Sequence, residues 1–209
     1  MTITIEKEKL LLVEGQDEIS VFGELLNILE ITDIQIIECG GNIQLKSKFP
    51  ALVKSSGFAD VKSYAIVQDA DTSFSGTLSR VQALLKKSGE PVPVSAEIFV
   101  EKNARRVGIF ILPGNGATGM LEDLYLNTLA GSLVLECVDL YLGELLAKCP
   151  PTIEKGQFGV SQNTAKVRTL GTLMATSVPH NRLGIAAKDG YWNLTHGAMG
   201  ALTAFVKQI

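Results

Sequence analysis

The chain has 209 residues, 46% hydrophobic and 20% charged, with 19 basic and 22 acidic side chains for a net charge of −3. That length can bury one sizeable core, and the composition excludes a disordered or low-complexity protein. The charge excludes a globally basic nucleic-acid coat, and no apolar run approaches the roughly 18 residues that would call for a membrane partner.

The first strand is predicted over residues 9–14, where the apolar run Leu10-Leu11-Leu12-Val13 ends at Glu14 and Gly15. From Asp17, the positions Ile19, Phe22, Leu25, Leu26 and Leu29 recur at helical spacing. Residues 34–37 predict a second strand, closed by Gly40-Gly41. A helix follows with Leu45, Phe49, Leu52 and Val53 inward, running to near Gly57. The third strand, over 61–67, delivers Asp69-Ala70-Asp71. A helix over 75–87 then carries Leu78, Val81, Leu84 and Leu85 on one face and stops at Gly89.

Glu90-Pro91-Val92-Pro93 reads as a linker. Residues 96–100 and 107–112 flank the polar stretch 101–105 as a hairpin-like excursion into a further core strand. Pro113-Gly114-Asn115-Gly116 turns the chain, and Gly119 precedes a helix over 120–129. Beyond it the spacing predicts a helix over 133–147, a polar loop over 152–165, a helix over 164–175, mostly loop over 180–192 and a closing helix over 197–206. Strands alternating with helices imply an α/β fold, a three-layer, Rossmann-like, mostly parallel sheet with a helical C-terminal extension. Residues 1–209 would form a single domain, with its core at 9–129 and the extension at 130–209 packed on that core.

The N-terminus places acidic residues where a signal peptide needs an apolar stretch. Cys39, Cys137 and Cys149 lack any Cys-x-x-Cys spacing and read as reduced thiols of a cytoplasmic protein. Charge is uneven along the chain. Residues 166–209 hold Lys166, Arg168, Arg182, Lys188 and Lys207 against Asp189, a net of +4, which leaves −7 on the remainder. Such a tail would hold a polyanion or form an ordinary solvated surface.

A carboxylate at the C-terminal end of a buried parallel strand projects into the crevice where such sheets bind ligands. Glu14, Asp69 and Asp71 brought together there would repel one another unless a cation lay between them. All-oxygen ligation of that kind suits Mg²⁺ or Mn²⁺. Plainer readings stand beside this one: Glu14 as an acid favoured by the next helix's dipole, and Asp69 with Asp71 as an Asx turn. Gly40-Gly41-Asn42 would cradle a phosphate or simply turn a strand into a helix. His180 and His196 lack partners at zinc-ligand spacing. Tyr191 and Trp192 beside Lys188 would stack a base, or plug the closing helix onto the core.

At Val13-Glu14-Gly15-Gln16-Asp17-Glu18 and Val67-Gln68-Asp69-Ala70-Asp71, over a span of 9–129, the chain resembles the Toprim domain. That domain occurs in topoisomerases, bacterial primases, recombination mediators, ribosomal-RNA maturases and OLD-family nucleases. Leu112-Pro113-Gly114-Asn115 and Gly119-Met120-Leu121-Glu122-Asp123 further resemble a free-standing prokaryotic Toprim-like family of uncharacterised function, related to the OLD nucleases. The resemblance implies that Glu14 acts as metal ligand or general acid–base and that Asp69 and Asp71 bind metal. It also implies that Glu18, in preference to Asp17, joins Glu122 at a second metal position. The chain departs from OLD proteins in lacking the G-x-x-x-x-G-K-[ST] loop of their ATPase domain. Asp69-Ala70-Asp71-Thr72-Ser73 also resembles the motif of HAD phosphatases, which place it on their first strand, whereas here it follows the third.

The expected function is divalent-metal-dependent phosphodiester chemistry on nucleic acid, most simply a nuclease. A lysine such as Lys166 would stabilise charge developing on phosphate. The alternative is a non-catalytic adaptor that binds metal or phosphate in a DNA- or RNA-processing assembly. The sequence leaves the type of nucleic acid open, and the oligomeric state as well, a homo-oligomer included.

Overall fold

The computed structural model describes residues 4–148 and 183–209. Five strands, β1 (Lys9–Val13), β2 (Ile34–Glu38), β3 (Ser63–Asp69), β4 (Phe99–Lys102) and β5 (Arg105–Leu112), form one sheet in the order β2-β1-β3-β5-β4. Every pairing is parallel except that of β4 with β5. The fold is therefore α/β, as the alternation of elements predicts. Because helices cover both faces, the central strands are near-continuous apolar runs.

The pleat divides those runs between two cores. Leu11, Val13, Ala65, Val67, Phe110 and Leu112 face α1 (Gln16–Ile28), α4 (Leu121–Thr128), α5 (Leu133–Lys148), α6 (Leu183–Lys188) and α7 (Gly200–Val206). Leu10, Leu12, Tyr64, Ile66, Val107, Ile109 and Ile111 face α2 (Asn42–Val53), α3 (Phe74–Lys87) and the 3-10 turn Ser56–Asp60. No helix among the described residues is long and apolar enough to cross a membrane.

Several boundaries differ from the sequence reading. β3 starts and ends two residues later than expected, because its pairing with β5 runs from Ser63↔Arg106 to Asp69↔Leu112 and holds Gln68 and Asp69 in the sheet. α2 stops at Val53. Phe58, in the 3-10 turn that follows, is buried against the Tyr64 ring at 5.6 Å between centroids. Within the stretch expected to be mostly loop, residues 183–188 are helical, with Leu183, Ala186 and Ala187 buried. Their short side chains let α6 lie against α1, where the Gly184 amide donates to Asp17 Oδ1 at 3.3 Å. The predicted helix over 164–175 and the loop over 152–165 fall outside the described residues.

Trp192 is 2% exposed and meets Tyr125 edge-on at 5.0 Å, which makes it a plug of the core with no face open to a base. On α7, the ring of Phe205 stacks near Phe99 at 4.8 Å and Phe110 at 5.2 Å, tying the C-terminus to the sheet. Phe205→Leu removes two aromatic pairs, each worth about 0.5–1.5 kcal/mol beyond area. A loss of about 1–3 kcal/mol is expected in urea unfolding, and a loss below about 0.5 kcal/mol would show that this contact does not hold the tail down.

Candidate functional site

β1 and β3 are neighbours in register, Leu12 opposite Ile66, so their C-terminal ends open at one edge of the sheet. Glu14 leaves that edge just after β1, in phase with Leu10 and Leu12, and lines a cleft with Asn42 and Lys46 of α2 and Thr77 and Arg80 of α3. Its Oε1 accepts the Asp69 amide at 3.1 Å, which binds the two strand ends together. Gly41 gives the carboxylate room, since a Cβ there would lie 3.0 Å from Glu14 Oε2. Gly40-Gly41 thus serves as the strand-to-helix turn that the acid packs against.

Asp69 and Asp71 line the same cleft, and Asp69, in phase with Ala65 and Val67, also reaches toward the layer of α4. Its Oδ1 accepts the first amide of α4, Leu121 N–H, at 3.1 Å. Asp71 sits on the exposed turn with φ +51°, a left-handed conformation that aspartate tolerates. Asp71 and Gly119 exchange backbone hydrogen bonds at 2.8 and 2.9 Å, which pins the β3–α3 turn to the start of α4. Only glycine fits at 119, because φ is +129° and a Cβ would stand 2.5 Å from Asp123 Oδ2. Glu18 caps α1 by accepting the Gly15 amide at 3.1 Å, and Asp123 caps α4 in the same way from Met120 at 2.8 Å.

Burial is the main cause that raises the Asp69 carboxyl, to about 9, and the neighbouring charges of Glu14, Glu18, Glu122 and Asp71 add to it. Glu14 is raised chiefly by burial, against the opposing Asp69 amide; Glu18 and Asp71 push it up and Arg80 pulls it down. Glu18 is raised as well, by burial and then by Asp17 and Glu122 among its neighbours, while its own backbone amide opposes the shift. The structure thus brings Glu14, Glu18, Asp69, Asp71 and Glu122 within electrostatic reach around one sheet edge. Among the described residues, however, no three His, Cys, Asp or Glu side chains are gathered closely enough to hold a metal ion. Glu14, Asp69 and Asp71 nevertheless line one cleft.

Residues 8–209 match the family model described as "Protein of unknown function (DUF3226)". The chain belongs to this family. A sequence comparison with curated proteins finds no match. Among solved structures, the chain is similar to the C-terminal region of the Xanthomonas campestris pv. campestris OLD protein, at TM-score 0.50 and 14% identity. That alignment covers 97% of this chain and 95% of the other. The C-terminal region of the Burkholderia pseudomallei OLD protein is similar at TM-score 0.50 and 13% identity, over 98% of each chain. At these identities the likeness is one of fold.

Lys166 and His180 lie outside the described residues. The cations that the structure places in the cleft are Arg80 and Lys46, accompanied by Asn42 and the buried amide of Gln68. Sequence reasoning passed over Lys46 and Arg80 because it read α2 and α3 for their apolar faces alone. The usable signal was the helical spacing of Thr77, Arg80 and Leu84 behind the acid pair. For a divalent ion the donors fit in type, since all are oxygen, and the Asp69 carboxyl, raised first by burial and then by four neighbouring acids, would gain a counter-charge from such an ion.

Proposed function

We propose that this protein has a Toprim-like core and carries out divalent-metal-dependent phosphodiester chemistry on nucleic acid, most simply as a nuclease. The observation that carries this reading is the buried Asp69 carboxyl, joined through its amide to Glu14 at adjacent parallel strand ends and surrounded by three further acids. Glu14, Asp69 and Asp71 would hold Mg²⁺ or Mn²⁺, and Glu18 with Glu122 a second ion. Such an ion, when bound, supplies polarisation of phosphate oxygen and a more acidic water. Lys166 would offset the charge that develops on phosphate.

The protein's own groups set the pH dependence. Asp69 must release its proton to become a ligand, so cation affinity rises with pH toward about 9. At 100 times its dissociation constant an ion adds about 2.7 kcal/mol to the native state. In a chain of this size that is roughly 5–10 °C of melting temperature. Mn²⁺ is expected to raise the melting temperature, more at pH 8.5 than at pH 6, as read by calorimetry. A transition indifferent to Mg²⁺ and Mn²⁺ at both values would remove the metal from the proposal.

A second reading, a non-catalytic adaptor that binds metal or phosphate, draws support from the spread of the carboxylates. Incubation with labelled single- and double-stranded DNA and RNA in Mg²⁺ or Mn²⁺ separates the two. The nuclease reading expects products that vanish with EDTA. Melting stabilised by Mn²⁺ without cleavage of any of these substrates selects the adaptor.

A further inference from the structure

The cleft beside Glu14 has a basic wall as well as an acidic floor. Arg80 on α3 is half-buried and donates to Thr77 Oγ1. Thr77 is 3% exposed, and its hydroxyl donates to the carbonyl of Ala70 at 3.4 Å, the residue between Asp69 and Asp71. The guanidinium is thereby tied to the turn that carries the acids. Lys46 stands across the cleft on α2, one helical turn beyond Asn42.

Neither cation closes an ion pair among the described residues, although Arg80 is near enough to Glu14 to favour its charged form. A half-buried guanidinium normally finds an anionic partner, and among the described residues Arg80 spends its donors on one hydroxyl. The first turn of α2, capped by Gly41 without a side-chain hydrogen bond, borders the same cleft. Its free amides add partial positive charge on that side. Glu18 and Glu122, by contrast, raise negative potential around Asp69 from the α1 and α4 side.

We propose that Arg80, positioned by Thr77, and Lys46 form the phosphate-holding wall of this site, so that a substrate phosphate enters between α2 and α3. The inference rests on the phosphodiester reading of the acidic cluster and adds the direction from which the phosphate arrives. The planar fork of Arg80 suits two phosphate oxygens at once, and Lys46 supplies a mobile point charge.

The test is fluorescence anisotropy of the full chain with a labelled oligonucleotide of about 20 bases, single-stranded and duplex, in Ca²⁺ across a salt series. Each phosphate contact contributes about 0.7–0.9 to the slope of log affinity against log salt. Arg80→Ala and Lys46→Ala are each expected to weaken binding about tenfold and to lower that slope by about one contact. Arg80→Lys keeps the charge and loses the fork, so it should restore the slope and only part of the affinity. Thr77→Val leaves every charge in place and should reduce affinity at unchanged slope, as a positioning role requires.

The Mn²⁺-induced melting shift should persist in all four variants, which separates this wall from the metal ligands. Variants that bind with wild-type affinity and slope would overturn the wall and leave the metal reading standing. So would a wild type stabilised by Mn²⁺ that binds neither oligonucleotide, unless inorganic phosphate or a mononucleotide shifts its melting in an Arg80-dependent way. Such a shift would keep the wall and assign it to a small phosphate ligand.

Discussion

Asp69→Asn is expected to raise the melting temperature of the metal-free protein at pH 8 while abolishing its response to Mn²⁺ and any metal-dependent cleavage. The carboxyl is held at about 9 in the folded chain, against an ordinary value of 3.8. The native state thus binds this proton more tightly than the unfolded chain does. The stability it contributes is complete below the unfolded value and is lost as pH climbs through the folded one. Between those limits the loss runs at up to about 1.4 kcal/mol per pH unit.

Glu14 and Glu18 are raised too, so their contributions carry the same sign. Asparagine is neutral throughout, and its Oδ1 keeps the bond from the Leu121 amide. In EDTA the wild type should therefore lose stability from pH 6 to pH 8, while the variant's profile is distinctly flatter. At pH 8 the variant should melt several degrees higher. An Asp69→Asn protein that is less stable than wild type in EDTA and still responds fully to Mn²⁺ would show that Asp69 is neither the strained carboxyl nor a ligand.

Much of this arrangement could be read from the chain because parallel strands buried on both faces are written as unbroken apolar runs. Leu10-Leu11-Leu12-Val13 and Tyr64-Ala65-Ile66-Val67 mark β1 and β3, and an acid ending such a run must lie near the ligand-binding edge. The phase of those acids was not legible. Glu14 follows the end of β1 whereas Asp69 is the last residue of β3, so Asp69 lines the cleft with Glu14 and yet also accepts from the first amide of α4, and that depends on where each strand ends relative to its partner. β3 extends through Asp69 because β5 is long enough to pair with it, a fact about another segment. The helix α6 was missed because its buried face is made of Ala186, Ala187 and Leu183, too short a stretch for periodicity to register. Arg80 escaped notice for a related reason: a polar residue on an amphipathic helix reads as solvated surface until the layer across the cleft is known.

Arg105 shows the same limit in the scaffold, and it yields the second large expected effect. In the sequence it closes a polar excursion between two strands, yet in the structure it is only 22% exposed and pairs with Glu90, 8% exposed, at 3.0 Å. Its remaining donors reach the carbonyls of Val61 at 3.1 Å and Phe58 at 3.0 Å, and its guanidinium lies 4.6 Å from the centre of the Phe58 ring. Glu90 also accepts from the Tyr64 hydroxyl at 3.1 Å, and burial beside that carboxylate raises the phenol. Arg105→Ala would strand the Glu90 charge in a nearly dry site and leave two carbonyls without this donor. Losing one partner of a buried pair costs about 3–5 kcal/mol. Replacing both by apolar residues costs much less, so Arg105→Met with Glu90→Leu should recover most of the loss in urea unfolding. Arg105 begins β5, at the end of the sheet opposite the carboxylates, so the stability of the fold and the chemistry of the site can be separated. At a temperature where Arg105→Ala is still folded, it should show an undiminished Mn²⁺-induced shift. A shift that disappears with Arg105 would mean that the acidic edge depends on the far end of the sheet and is not set by the strand ends and helix caps around it.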